Sequence, residues 1–183
     1  MENMLPRILG VLLCALVVSA QVTPVADFDL AKIAGKWYLV GIATNSAWFV
    51  SHKDGMKMST SVMTATENGD LDMSYANLNA DGTCWRMNHV AKKTDTPGRF
   101  TFYSETWKND NDMSFIDVVY DNYAIVHNTK TKDGVSEVLI KIYSRTAAAS
   151  DDLQQKFRQA SLDAGVLAEN TVLLPANAEC PEV

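Results

Sequence analysis

The sequence contains little histidine and cysteine, and its positive charges are dispersed. Three histidines (His52, His89 and His127) and three cysteines occur among 183 residues, and none of the histidines has a spacing typical of a metal site. The formal net charge is −6, and no dense cluster of Lys and Arg suggests a nucleic-acid partner. No Asn-x-Ser/Thr triplet is present, so we expect no N-linked glycan. We expect neither a metal nor another cofactor.

Long apolar runs are also scarce, and the one that stands out lies at the N-terminus. Arg7 precedes an apolar stretch over residues 8–18, and small residues follow up to Ala20. This pattern is typical of a secretory signal peptide, and the run is shorter than the roughly 20 residues that cross a bilayer. The sequence therefore predicts a signal over 1–20 and one secreted, extracellular domain over 21–183. The alternative is an N-terminal membrane anchor.

Cleavage after residue 20 would remove Cys14 and leave Cys84 and Cys180. Two cysteines in an oxidising compartment most simply form one disulfide. The competing interpretation is a pair of free thiols, one of them catalytic.

Short β-type segments separated by turns occupy most of the mature chain. Asn-Gly and Asp-Gly turns within 67–70 and 79–82 are strong hairpin signals. The segments predict eight strands over 37–44, 58–66, 71–78, 83–92, 99–106, 113–120, 123–129 and 135–145. This spacing indicates an all-β fold, an eight-stranded antiparallel up-and-down β-barrel.

Two segments depart from that pattern. The stretch 45–56 is longer than a hairpin turn and carries Trp48 and Phe49, which we expect to form a lid. Near the C-terminus, Ser150 can cap a helix whose apolar face includes Leu153 and Phe157, with Gly165 at its end. We expect this single helix to lie against the outside of the barrel, followed by a short strand over 171–174.

Gly35-x-Trp37 stands near the first strand, Arg145 ends the last barrel strand, and a helix follows. With this combination the chain resembles the lipocalin family. Within the family, the stretches 41–48, 121–125, 143–146 and 170–175 are similar to lipocalin-type prostaglandin D synthases. The resemblance implies a calyx in which Arg145 covers the ring of Trp37 at the closed end, a cation–π contact. It also implies a disulfide from Cys84 to Cys180 that holds the C-terminal tail to the fourth strand.

The sequence departs from those synthases at one position. The resemblance places their catalytic cysteine on the second strand, at the position of Ser59. A serine hydroxyl is a weaker nucleophile than a thiolate and needs an adjacent base. We therefore predict no catalytic residue and a binding function.

Strand alternation predicts which side chains face the cavity. The expected ligand-binding residues are Ser59, Ser61, Met63, Trp85, Met87, His89, Tyr123, Ile125, Lys141 and Tyr143, with His127 on the same face and Trp48 on the lid. An inward Lys141 needs a negative partner, which indicates a carboxylate ligand such as a fatty acid, retinoic acid or a prostanoid. The alternative is a local bulge, or a position near the mouth in water.

Three functions follow as hypotheses. The leading one is an extracellular carrier of a small lipophilic ligand, expected to be a monomer. The second is prostaglandin-H2 D-isomerase activity retained despite Ser59. The third is a scavenger or signalling protein recognised by a cell-surface receptor through its loops.

Overall fold

The structure, a computed structural model, describes residues 22–181, and nine strands and three helices make up most of it. The strands are β1 (Gly35–Ala43), β2 (Ser59–Ala65), β3 (Leu71–Leu78), β4 (Cys84–Lys93), β5 (Arg99–Ser104), β6 (Asn109–Val119), β7 (Tyr123–Lys132), β8 (Val135–Ser144) and β9 (Thr171–Leu173). The helices are α1 (Leu30–Ile33), α2 (Ala47–His52) and α3 (Asp151–Asp163).

The strands close into an antiparallel barrel. Each of β2 to β7 pairs with the strand that follows it, β8 pairs with β1, and β1 pairs with β2 to complete the ring. The predicted eight-stranded barrel with a C-terminal helix is therefore confirmed. The short β9 pairs with Gly41–Ala43 of β1, just beyond the part of β1 that pairs with β2.

The chain alternates between the two ends of the barrel. The turns after β2, β4 and β6 lie at the closed end, together with α1 and the start of β1. The turns after β3, β5 and β7 lie at the open end, together with the segment that contains α2. The lid segment is thus partly helical, which its sequence did not predict.

Trp37 and Arg145 meet at the closed end. The Trp37 ring is fully buried, and its Nε1 donates to the carbonyl of Ile33 at 2.7 Å. The Arg145 guanidinium lies 3.6 Å from the centroid of that ring and donates to the carbonyls of Lys36 and Ala34 at 2.8 and 2.9 Å. Gly35 has a φ of +102°, and a Cβ there would lie 3.2 Å from Nη1 of Arg145. The close approach of backbone and guanidinium therefore favours glycine.

Helix α3 packs on the outer face of β1 and β8. The Ser150 hydroxyl accepts from the amide of Leu153 at 3.3 Å and caps the helix, as the sequence predicted. At the contact with the barrel, a Cβ on Gly41 would come within 2.9 Å of Phe157 and 2.7 Å of Ile142. The absence of a side chain at position 41 lets the helix sit close to the sheet.

The C-terminal tail crosses the wall beyond β9. Cys84 and Cys180 form a disulfide, which confirms the predicted pairing. Asn177 donates to the carbonyl of Leu78 at 2.9 Å, and Glu179 accepts a hydrogen bond from Tyr38 at 2.7 Å. These contacts and the disulfide fix the tail to β1, β3 and β4.

The predicted signal over 1–20 lies outside the described residues. Among residues 22–181, no helix is both long and apolar enough to span a membrane.

Candidate functional site

The inward faces of β2, β3 and β4 form one side of the barrel interior. Residues directly opposite in an antiparallel pair project to the same face. Ser61 pairs with Tyr75, and Tyr75 pairs with Met87. The next inward row contains Met63 and His89, which both flank Met73 in the ladder. The structure thus brings these predicted positions together, with the two β3 side chains between them.

Trp85 and Ser59 complete this side. Trp85 follows the same alternation as Met87 and His89 but lies toward the open end, where 43% of its surface is exposed. Ser59 opposes Leu39 of β1. The described residues offer its hydroxyl no hydrogen bond to a histidine or carboxylate. Both described cysteines are engaged in the disulfide.

Lys141 and Tyr143 project inward from β8. The hydroxyl oxygen of Tyr143 lies 3.1 Å from that of Tyr75, so a hydrogen bond crosses the interior. Burial raises the pKa of Tyr75 to about 12 and that of Tyr143 well above its ordinary value, so both phenols stay protonated.

The interior contact of Lys141 is with an aromatic face. Its Nζ lies 5.5 Å from the centroid of the Tyr75 ring. Within the described chain this ammonium has neither a hydrogen bond nor an ion pair with a carboxylate. Protein atoms surround it, and part of its side chain remains accessible. Burial, and then the charge of Lys130, lower the pKa of Lys141 to about 7.

The predicted orientation of β7 is wrong. Tyr123, Ile125 and His127 oppose Ser144, Ile142 and Ile140 of β8, whereas the inward Lys141 opposes Val126. The three predicted residues therefore face outward. Tyr123 donates to Asp117 at 2.9 Å and lies 5.8 Å from Nζ of Lys156 on helix α3.

The physical reason is that both faces of β7 are covered. Lys156 of helix α3 lies beside Tyr123 on the outer side, and Tyr123, Ile125 and His127 are all buried although they face outward. An apolar residue on β7 consequently does not reveal which way the strand faces.

The inward face of β7 contributes polar groups that the sequence prediction missed. Asn128 opposes Leu139 of β8, and Lys130 opposes Glu137 toward the open end. Burial lowers the pKa of Lys130, and the charge of Glu137 partly offsets this. The sequence did contain a signal for both residues. If Lys141 faces inward, the pairing of the β7–β8 hairpin places Asn128 and Lys130 on the same face.

His89 connects β4 to β5. Its ring stacks on Phe102 at 4.0 Å and on Tyr75 at 5.5 Å between centroids. The backbones of β4 and β5 pair only at Lys92 and Lys93, near the closed end. The stacking of His89 on Phe102 therefore joins the two strands nearer the open end. Burial, and then the charge of Lys141, lower the pKa of His89 to about 4. The imidazole is therefore neutral near pH 7.

Several buried polar atoms of the interior lack a partner within the described chain. They are Oγ of Ser61, Nε2 of His89 and Oδ1 of Asn128. A buried polar atom without a partner costs free energy. Together with Lys141, they line an otherwise apolar interior with groups that a polar ligand end could satisfy.

The lid segment spans the open end from β1 to the opposite side. Trp48 of α2 stacks on His52 at 4.7 Å and contacts Trp107, in the turn after β5, at 5.9 Å between centroids. Trp48 is 54% exposed and Trp107 47% exposed, while Phe49 is buried. The tip of the lid therefore rests on an aromatic contact across the mouth.

The base of the lid is held by polar contacts to one segment of the chain. Asn45 donates to the carbonyl of Gly165 at 2.9 Å and accepts from the amide of Leu167 at 3.0 Å. Beyond α2, Lys53 donates to Oδ1 of Asn170 at 3.1 Å. Both ends of the lid are thus fixed to residues 165–170, which follow helix α3.

Two surface depressions lie away from this interior. One of about 330 Å³ is lined largely by outward residues of β5, β6 and β7, including Thr101, Asp112 and Thr129. The other, of about 240 Å³, lies between Asn45, Glu137 and Val166. Neither contains Lys141 or the unpartnered interior atoms, so we take the barrel interior as the candidate site. Within residues 22–181, no cluster of His, Cys, Asp and Glu has an arrangement that could hold a metal ion.

A closed barrel with a lid, a partly polar interior and a sealed base defines a calyx-type binding protein. Residues 34–177 match the lipocalin / cytosolic fatty-acid binding protein family. The chain belongs to this family.

Known relatives can be aligned with this chain over most of its length. The chain is 35% identical to "Lipocalin" of Rhinella marina over 93% of this chain and 92% of that protein. It is 32% identical to "Extracellular fatty acid-binding protein" of Coturnix japonica, over 92% and 91% of the two chains. It is 28% identical to "Prostaglandin-H2 D-isomerase" of Felis catus, over 89% and 85%. The resemblance to prostaglandin D synthases is therefore confirmed.

A solved structure described as "The Siderocalin Ex-FABP functions through dual ligand specificities" matches with a TM-score of 0.71 and 29% identity. The match covers 82% of this chain and 99% of the other. Family and neighbours together support a role in binding small ligands.

Proposed function

We propose that this protein is an extracellular carrier of a small lipophilic acid, such as a fatty acid, retinoic acid or a prostanoid. The observation that carries the proposal is Lys141, a cationic side chain inside the barrel without a carboxylate partner among the described residues. A bound carboxylate would supply the missing negative charge.

The electrostatic argument rests on the cost of burying an ammonium group. Such a group either loses its proton or gains a partner. Burial lowers the pKa of Lys141 to about 7, so the charged form is disfavoured in the barrel interior. A carboxylate at Nζ would favour the charged form, and Oγ of Ser61 could donate a second hydrogen bond.

The rest of the ligand would contact the apolar part of the interior. Met63, Met87 and Phe102 project from three different strands around Tyr75. Burial of apolar ligand surface contributes about 25 cal/mol per Å². Met87 and Met63 side chains can adapt to ligands of different shape.

Relatives and the disulfide support the proposed location. The quail relative is named an extracellular fatty acid-binding protein. A disulfide between Cys84 and Cys180 is the form expected in an oxidising compartment. The signal predicted over 1–20 fits the same route.

The isomerase alternative depends on Ser59. A hydroxyl at this position needs a base to act as a nucleophile, and in the described chain it makes no hydrogen bond to one. Incubation of the purified protein with prostaglandin H2 tests this alternative, and enzyme-dependent turnover that Ser59→Ala abolishes would replace the carrier proposal.

Titration of retinoic acid and retinol, followed by quenching of tryptophan fluorescence, tests the carrier proposal. The two ligands share a skeleton and differ at the end that would meet Lys141. Lys141→Gln should weaken retinoic acid binding by roughly 10- to 150-fold, from about 1.5–3 kcal/mol for a charged hydrogen bond, and leave retinol within about twofold. Lys132→Gln, the same change on an exposed part of β7, is the matched control. Equal losses for both ligands, or in both variants, would contradict the proposal.

A further inference from the structure

The amine of Lys141 has a second chemical capacity. A primary amine that faces a lipophilic interior can act as a nucleophile when it is not held in an ion pair. We propose that Lys141 captures lipophilic aldehydes as a reversible Schiff base inside the barrel. This inference rests on the proposed function to the extent that the interior must admit an elongated lipophilic molecule.

The groups around Lys141 favour the neutral amine. Nζ lies over the ring of Tyr75 from β3, and Tyr143 from its own strand is a protonated phenol. Lys130 of β7 repels the ammonium form. His89 of β4 is neutral near pH 7.

The resulting fraction of neutral amine is large. With a pKa of about 7, half of the Lys141 population is unprotonated at pH 7. An ordinary lysine, with a pKa near 10.4, has about a thousandfold less of this form. Lys141 should therefore react before the exposed lysines of the chain.

The reaction needs no oxidant, reductant or metal. The nitrogen lone pair attacks the aldehyde carbon, a C–N bond forms, and the carbonyl oxygen takes up a proton. Loss of the second amine proton and of the oxygen as water then leaves the C=N bond. Hydrolysis reverses each step, and the apolar side chains around the adduct limit the access of water that hydrolysis needs.

Carboxylates and aldehydes should compete for Lys141. A carboxylate ligand binds the ammonium form, whereas an aldehyde reacts with the neutral amine. Bound retinoic acid should therefore suppress adduct formation with all-trans-retinal in two ways. It fills the same interior, and it keeps Lys141 in the protonated form that cannot attack the aldehyde.

The test is borohydride reduction of the protein after incubation with all-trans-retinal near pH 7. Intact-mass analysis counts the adducts, and peptide mapping of the unmodified sequence locates them without any variant. We expect one predominant adduct, at Lys141, at least about tenfold above any other lysine. Lys141→Arg keeps a positive charge but cannot form the imine, and should reduce the yield at least about tenfold. Lys132→Arg is the matched control and should leave the yield unchanged.

The outcomes separate this inference from the carrier proposal. Retinoic acid binding without an adduct at Lys141 would overturn the inference and leave the carrier proposal in place. An adduct at Lys141 without Lys141-dependent binding of retinoic acid would support the inference and contradict the proposal that the protein carries lipophilic acids. Adducts spread evenly over exposed lysines, or unchanged in Lys141→Arg, would overturn the inference.

Discussion

The affinity for a carboxylate ligand should fall steeply as the pH rises through 7. Lys141 has a pKa of about 7, so about 90% of it is charged at pH 6 and about 1% at pH 9. A carboxyl group with an ordinary pKa near 4 to 5 stays ionised across this range. If binding requires the ammonium form, the affinity for retinoic acid should fall about 90-fold between pH 6 and pH 9. This corresponds to about 2.7 kcal/mol of binding free energy.

The direction of this pH dependence follows from the proton that Lys141 must carry when the carboxylate binds. At pH 6 the ammonium is already present and the carboxylate binds without proton uptake. Above pH 7, each binding event must first protonate Lys141, and each further pH unit costs about 1.4 kcal/mol. Acid binding is therefore strongest below the pKa of Lys141 and is lost above it.

Fluorescence titrations of retinoic acid and retinol at half-unit steps from pH 6 to pH 9 measure this dependence. Retinol should bind with little pH dependence. Lys141→Arg should bind retinoic acid with a flat profile, because the guanidinium remains charged throughout. A flat profile in the unmodified protein, or the same slope for retinol, would refute the proposed role of Lys141.

Three further predictions concern the scaffold and are checked by calorimetric melting. Gly41→Ala places a methyl group against helix α3 and should lower the free energy of unfolding by about 1–3 kcal/mol. Gly55→Ala, with open space around it, is the control and should leave stability unchanged. Equal melting temperatures for the two variants would contradict the close packing. Replacing Cys84 and Cys180 by serine opens a bridge between residues 96 apart and should lower stability by up to about 4–5 kcal/mol; an unchanged melting temperature would refute this. Arg145→Lys should cost about 1–3 kcal/mol, because lysine lacks the planar fork of donors; a neutral result would show that the carbonyl contacts contribute little.

The barrel could be predicted because its signals are local. Turn residues separate the strands, and Ser150 and Gly165 mark the ends of the α3 region. The boundaries were less accurate where polar residues enter a strand, as in β6, which begins at Asn109 rather than near residue 113. Strand pairing, rather than side-chain type, brings these asparagines and aspartates into the ladder.

The candidate site could be predicted only in part, because side-chain orientation depends on pairing. The inward positions of β2, β4 and β8 followed from simple alternation. That of β7 required its register with β8, where Val126 opposes Lys141. Asn128 and Lys130 were missed for the same reason, and a shift of one residue exchanged the two faces of the strand.

The attachment of the lid separates the selection of the ligand from the folding of the barrel. Asn45 and Lys53 hold its ends to residues 165–170 on the outside of the calyx, while Trp48 at its tip meets Trp107 across the mouth. Substitutions at the tip can therefore alter which molecules enter, with little effect on how the barrel folds. A descendant of this chain could acquire a new ligand through a few changes at the mouth and keep the same scaffold.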